Sequence, residues 1–320
     1  ESELNKSKTV ALWSKLADRY KDSPWMGGYD LINETHWDFS DISDLRDLFI
    51  RITNAIREHD DKRILFIEGN GYANDFTGLT PPWDPNMAYS FHKYKTFNSH
   101  FTLEFVLKIQ REYNYPLWMG ESGENSNAWA TDAVKLFEDL GIGWSWWTYK
   151  KLGSVTNPVS FNSNSRYDAL VNYIKGESSS KPTLDNIYAG LLELAESTKI
   201  ENVNFQRDYI DALVRQPYSN LTVPYSNNKV PGTIYASNFD LGNNLNAYYD
   251  TNSYDFEYST GTYQASNSFI YRNDGVDVNS TTFSAGNGFC IEHIDKGEWA
   301  VYTINVENDG LYDIGIFFSS

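Results

Sequence analysis

Two hydrophobic periods alternate through the first half of the chain. Leu12, Leu16 and Tyr20 share one helical face, and the run Tyr29-Asp30-Leu31-Ile32-Asn33-Glu34 then reads as a short buried strand closed by Glu34. Ile42, Leu45, Leu48, Phe49, Ile52, Ala55 and Ile56 recur at helical spacing, followed by the strand Arg63 to Glu68, which Gly69-Asn70-Gly71 stops. A loop rich in Gly, Pro and Asn leads to a third strand, Met87 to Phe91, ending in His92-Lys93-Tyr94. A helix bearing Phe101, Phe105, Val106 and Ile109 precedes a fourth strand, Leu117-Trp118-Met119-Gly120-Glu121. The next helix carries Trp129, Ala133, Leu136, Phe137 and Leu140, with Gly141 as its C-cap, and Ile142 to Trp147 is the last strand of the series. Repeated strand-helix alternation predicts an α/β fold with a parallel sheet. Catalytic-type residues at successive strand ends favour a (β/α)8 TIM barrel over an open sheet. A full barrel has eight strands, so the expectation is a barrel portion, about strands 4 to 8, in a chain that begins inside the barrel.

After residue 176 the pattern changes twice. Thr183 can cap a helix bearing Leu184, Ile187, Tyr188, Leu191 and Ala195, and Tyr209, Ile210, Leu213 and Val214 line another. Residues 217–229, rich in Pro, Ser and Asn, read as a linker. Beyond them, short alternating segments such as Ser268 to Arg272 and Glu298 to Ile304 are separated by Asn-Gly, Asp-Gly and Gly-Asn turns, which predicts an all-β sandwich. The expected domains are therefore 1–216, barrel portion with appended helices; 217–229, linker; and 230–320, β-sandwich.

Composition narrows the partners. A net charge of −17 disfavours nucleic acid and anionic membranes, which would repel the chain. A neutral polymer or small molecule fits better, and 10 Trp and 23 Tyr supply flat faces with polar edges that suit pyranose rings, although core packing accounts for most of them. The single cysteine, Cys290, excludes an intrachain disulfide framework. Glu1 to Val10 is polar, without the apolar stretch of a signal peptide. No cofactor, metal site or membrane segment is expected, because the His residues lack ligand spacing and no apolar run is long enough to span. A monomer is expected.

Two carboxylates, a His and a Tyr at neighbouring strand ends suggest cleavage of a glycosidic bond with retention. One carboxylic acid protonates the leaving oxygen while the other attacks the anomeric carbon, at a separation of about 5 to 5.5 Å. Glu34 is the candidate acid/base, expected to be the more desolvated, and Glu121 the candidate nucleophile, expected to be the better hydrogen-bonded. Tyr94 is expected to hold Glu121, His92 to lie on the Glu34 side, and Asn33 to reach the sugar 2-hydroxyl. Glu68, a rival carboxylate without evident polar partners, ranks as structural or substrate-lining. Trp144 and Trp146 share one strand face and Trp147 takes the other, so one can floor a sugar site. Each residue singly is more often packing or surface; their common position shifts the balance.

These motifs resemble glycoside hydrolase family 5 over Lys6 to about Gly176. Leu31-Ile32-Asn33-Glu34 resembles its acid/base segment, Tyr89 to Tyr94 its His-x-Tyr segment, Gly120-Glu121-Ser122-Gly123 its nucleophile segment, and Gly141 to Lys150 its eighth strand with Trp147 as the sugar platform. Thr35 replaces the usual proline, and the family's first three strands, with a supporting Arg and His, have no counterpart. Residues 230–320 are similar to family 6 carbohydrate-binding modules through Pro231-Gly232-Thr233-Ile234, Asn238-Phe239-Asp240, Tyr271-Arg272, Gly275 to Val278 and Gly297 to Val306. That resemblance implies a jelly roll with Tyr271 as a sugar-stacking residue, and ends before the module's last strands. Tyr235 and Ser237 stand where acidic calcium ligands are usual. Together the resemblances imply a secreted endo-β-1,4-glucanase bound to β-glucan. A mannanase or xylanase, or a non-catalytic carbohydrate-binding scaffold, are the alternatives.

Overall fold

A computed structural model describes residues 2–38, 43–251 and 270–318. The chain divides into two compact units, the first comprising Glu1–Ser122 and Leu136–Trp146, the second Gly123–Lys135 and Trp147–Ser320. In chain order the first region carries α1 (Glu3–Tyr20), β1 (Gly28–Asp30), α2 (Ser43–Arg57), β2 (Ile64–Glu68), the single turn α3 (Asn70–Ala73), β3 (Met87–Lys93), α4 (Glu104–Tyr113), β4 (Leu117–Ser122), α5 (Asn127–Asp139) and β5 (Gly143–Trp144).

Strands β1 to β5 form one parallel sheet in the order of the chain, each pairing with its predecessor. A doubly wound sheet would reverse that order at a switch point; uninterrupted succession is the winding of a TIM-like half-barrel. One face is apolar: Leu65, Ile67, Tyr89, Phe91 and Met119 are fully buried, and Phe91 meets Phe105 of α4 and Phe137 of α5 edge-on. Each such side chain contributes roughly 1.5–3 kcal/mol by leaving water. Leu45, Leu48, Phe49, Ile52 and Ile56 form the buried stripe of α2 as their spacing requires. The other sheet face carries Phe66, Glu68, Ser90, His92 and Trp118, so polar chemistry is presented by the same strands that anchor the core.

Several details depart from expectation. β1 ends at Asp30, and Glu34 lies beyond it in a turn at φ 46°, instead of closing the strand. Leu12 is exposed on α1, where Ala17 is the buried residue. Phe101 sits in the 3-10 turn His100–Leu103 and is exposed, while Leu103 takes the buried position. Ile42 falls outside the described residues. α5 ends as expected, with Gly141 at φ 65° and Ile142 N–H donating to the Phe137 carbonyl across the cap.

The second region contains β6 (Lys150–Leu152), β7 (Val159–Phe161), α6 (Ser165–Ile174), α7 (Leu184–Ser197), β8 (Asn204–Phe205), α8 (Arg207–Val214), β9 (Asn228–Val230), β10 (Tyr248–Tyr249), β11 (Val278–Ser280), β12 (Phe289–Ile291), β13 (Trp299–Ala300) and β14 (Ile304–Val306). Thr183 Oγ1 caps α7 by accepting from Asn186 N–H. Tyr209 and Leu213 are buried on α8, whereas Val214 is exposed. Within 217–229, Pro217 is buried in the 3-10 turn Gln216–Tyr218, and Asn228 is buried at the start of β9.

The jelly-roll sandwich expected for 230–320 does not emerge among the described residues. Its strands, two or three residues long, pair only in twos: β10 with β13, β11 with β12, and β9 with β14. Ile270–Arg272 is not strand, and Ser268 and Phe269 lie outside the described residues. A small core of Phe239, Ala247, Tyr248, Val276 and Val278 holds the region. Beside it, buried Arg272 donates through Nε to Asp274 Oδ2 at 2.7 Å and stacks over Phe239 and Tyr225. Asn127 Nδ2 donates to Asp208 and Asp274, and Asn273 N–H to Asp208. Burial pushes the Asp274 carboxyl up to about 6 despite Arg272, with Asp208 adding to the rise.

Candidate active site

Register explains why the polar side chains meet. Asp30 pairs with Phe66, two residues before Glu68, and Glu68 pairs with Ser90, two before His92, so Asp30, Glu68 and His92 occupy one sheet face. A register shift between Phe91 and His92 then sets Glu121, in place of Gly120, opposite His92. Gly120 is required there: a Cβ would lie 2.5 Å from Ser90 Oγ and 3.2 Å from His92 Nε2.

His92 is the hub. Its Nδ1 lies 2.6 Å from Glu34 Oε1 and 3.6 Å from Glu121 Oε2, and its Nε2 lies 3.4 Å from Glu68 Oε1. One oxygen of Glu34, one of Glu121 and a ring nitrogen of His92 all fall within 4.8 Å of one another. Burial opposes charge on the ring, but hydrogen bonds to Glu68 and Glu34 and the Glu121 charge outweigh it and hold His92 at about 9. It is therefore an imidazolium at neutral pH, donating through both nitrogens. Among the described residues this is the group of acidic and His side chains spaced closely enough to hold a metal.

Tyr94, just past β3, donates its hydroxyl to Glu121 Oε2 at 3.0 Å, and His92 is nearer Glu34 than Glu121, both as expected from sequence. The desolvation order is reversed: the Glu34 side chain is 29% exposed and that of Glu121 is 20%. The turn leaves Glu34 nearer solvent, whereas Glu121 stays within β4. Burial, with the Glu34 and Glu68 charges, lifts the Glu121 carboxyl above the ordinary range, against the pull of His92 and the Tyr94 hydroxyl.

Glu68 is also not the partnerless carboxylate expected. It is 2% exposed, and its Oε2 accepts the Glu34 backbone N–H at 2.6 Å, which fixes the turn that aims Glu34. Asp30 was not singled out from sequence. Burial first, and then the charge of the hydrogen-bonded Glu68, push its carboxyl up to about 7, against the pull of His92. Strand parity links both residues to the site and was the available signal.

Asn33 is exposed in the turn before Glu34. A cavity of about 410 Å³ is lined by Glu34, His92 and Tyr94 together with Tyr72, Asn74 and Thr96. Trp144 and Trp146 meet edge-on at 6.1 Å. Trp147 and Tyr271 belong to the second unit. Trp147 is 49% exposed; Tyr271 lies flat on Phe289, with centroids 4.2 Å apart, and donates to Asn238 Oδ1.

Sequence comparison gives this arrangement a class. Residues 1–153 match the family described as Cellulase (glycosyl hydrolase family 5). A beta-xylosidase of Phanerodontia chrysosporium is 26% identical over 183 residues, which are 46% of this chain and 38% of that protein. The endoglucanase of the hyperthermophile Thermotoga maritima shares 21% identity over 45% of this chain and 59% of that one, with a TM-score of 0.41. For the endoglucanase of Pseudomonas stutzeri the values are 21%, 44%, 52% and 0.38. The chain thus spans less than two thirds of the length of each of these relatives.

Proposed function

We propose that the first region is the catalytic part of a retaining glycoside hydrolase acting on β-1,4-glucan, with Glu34 as acid/base and Glu121 as nucleophile. The observation that carries this is the convergence of one oxygen from each glutamate within 4.8 Å. Such a separation is below the about 6.5–9.5 Å between carboxyl groups that inversion requires and suits direct attack. Asn33, at the turn before Glu34, is proposed to contact the sugar 2-hydroxyl.

In the first step Glu121 attacks the anomeric carbon, the glycosidic bond breaks, and Glu34 delivers a proton to the departing oxygen. The His92 imidazolium, hydrogen-bonded to Glu34 Oε1, stabilises the carboxylate that this proton transfer leaves on Glu34. In the second step Glu34 takes a proton from water, whose oxygen displaces Glu121 and restores the starting configuration. Tyr94 keeps one Glu121 oxygen occupied and aims the other. Glu68 fixes Glu34 through its backbone and His92 through its ring.

The similarity to a beta-xylosidase supports a second reading, cleavage of xylan-type substrates; mannan is a third. We also propose that residues 230–320 act as a carbohydrate-binding module. Trp147 would serve as a sugar platform, and Tyr271 would offer only the ring face that Phe289 leaves uncovered. A secreted monomer is consistent with a polymeric substrate. Assay of this chain on soluble β-glucan, mannan and xylan, with proton NMR of the first anomer released, tests the proposal. Initial β-anomer from β-glucan is expected. Initial α-anomer would overturn retention, and absence of turnover on all three would favour a non-catalytic scaffold.

A further inference from the structure

Lys93 ends β3 and is 4% exposed. It follows Met87, Tyr89 and Phe91 at the two-residue period of the strand's apolar face, where a further apolar side chain would be less costly to bury. Leu103 and Phe105 line the same cavity as Lys93. Burial pushes its ammonium down to about 7. Two bonds offset that penalty: Nζ donates to the Thr96 carbonyl oxygen at 3.0 Å and to Thr96 Oγ1 at 2.9 Å. An amine can donate both whether charged or neutral, so the tie does not depend on its titration.

The tie closes a short loop of chain that holds Tyr94 and Lys95. Lys95 lies in the left-handed region at φ 50°, a conformation that a non-glycine residue keeps only where its surroundings impose it. Thr96 is itself exposed, and the buried Lys93 anchors its backbone to the end of the sheet. Tyr94, between the two ends of the tie, carries the hydroxyl that reaches Glu121 Oε2 at 3.0 Å. A side chain borne on a loop is aimed only as well as the loop is fixed. Resting on Glu121 as the nucleophile proposed above, we infer that Lys93 is a positioning residue: by tying down Thr96 it holds the Tyr94 hydroxyl on Glu121. Lys93 thus acts on the reaction through Tyr94, and that route is what can be tested.

The test is a double-mutant cycle on soluble β-glucan with Lys93→Met, Tyr94→Phe and the double variant. Methionine keeps an unbranched stem and removes the donor, a change that buried sites commonly tolerate. Lys93→Met alone should lower kcat/KM about three- to tenfold, and by less than about twofold in the Tyr94→Phe background. Thr96→Val removes one of the two acceptors and should act in the same direction, more weakly; it takes the place of Lys93→Met in the cycle should that variant not fold. A loss equally large in both backgrounds, or no loss from Lys93→Met alone, would overturn the inference. Glu121→Gln reports separately on the parent reading by abolishing turnover in every background. If the unaltered chain cleaves nothing, crystal structures of the unaltered and Lys93→Met chains decide. A Tyr94 hydroxyl moved beyond about 3.5 Å from Glu121 in the variant supports the inference. A hydroxyl still at 3.0 Å overturns it.

Discussion

Two buried polar clusters in this chain look alike in composition and differ in what surrounds them. Around Arg272, the guanidinium, two aspartates and two asparagines hydrogen-bond to one another among packed aromatic rings, with Asn127 Oδ1 and Asn273 Oδ1 buried and unpaired. Around His92, Glu34, Glu68 and Glu121 share a single imidazolium, and a cavity opens beside it. The first cluster is closed and near charge balance, so it serves to join chain segments. The second carries more negative charge than its cation neutralises and has room for a ligand. Buried charge alone is therefore no mark of function; an excess facing open space is.

Substitutions separate the two cases, in order of expected effect. Glu121→Gln should lower kcat at least ~1,000-fold with the melting temperature nearly unchanged, measured by steady-state kinetics and calorimetry. Arg272→Ala should do the reverse, costing about 3–5 kcal/mol of stability in denaturant titration by stranding buried Asp274, while the folded fraction keeps its kcat. A variant that lost turnover without losing stability would give the Arg272 cluster a catalytic role. Glu68→Gln removes the charge facing His92 but keeps an acceptor for the Glu34 N–H. A loss of about 1.5–3 kcal/mol, or ~10- to 100-fold, is expected in kcat with KM little changed.

Tyr94→Phe should have the smallest effect, a loss of about tenfold at most at the pH optimum. Its pH profile is more informative. The Tyr94 hydroxyl stabilises the Glu121 carboxylate, and the nucleophile must be ionised. Removing that hydroxyl raises the Glu121 pKa further, so the acidic limb of kcat/KM should move to higher pH. A limb that stayed in place would mean that the limb does not report Glu121.

The sheet was legible because its strands combine an unbroken apolar run with a functional residue at the end. β3, buried along its length and finishing at His92 and Lys93, shows both signals in seven residues. The contacts of Tyr94 with Glu121 and of His92 with Glu34 were expected from that placement. Glu68 and Asp30 were obscured for a different reason. Their partners are set by inter-strand register and by a backbone N–H in a turn, and neither leaves a trace in local composition. Glu34 was expected to close β1 and lies in a turn beyond it, with three residues between. Beyond residue 230, alternation and turn dipeptides pointed to packed sheets, and the described strands there pair only in twos.

The central claim is that Glu34 and Glu121 act on one anomeric carbon, with Glu121 making the covalent bond. Treating the chain with 2-deoxy-2-fluoro-β-cellobiosyl fluoride and mapping the label by peptide mass spectrometry tests it directly. The account predicts one label per chain, carried by Glu121 and absent from Glu121→Gln. A label on Glu34 or Glu68, or steady turnover of β-glucan with no label anywhere, would contradict it.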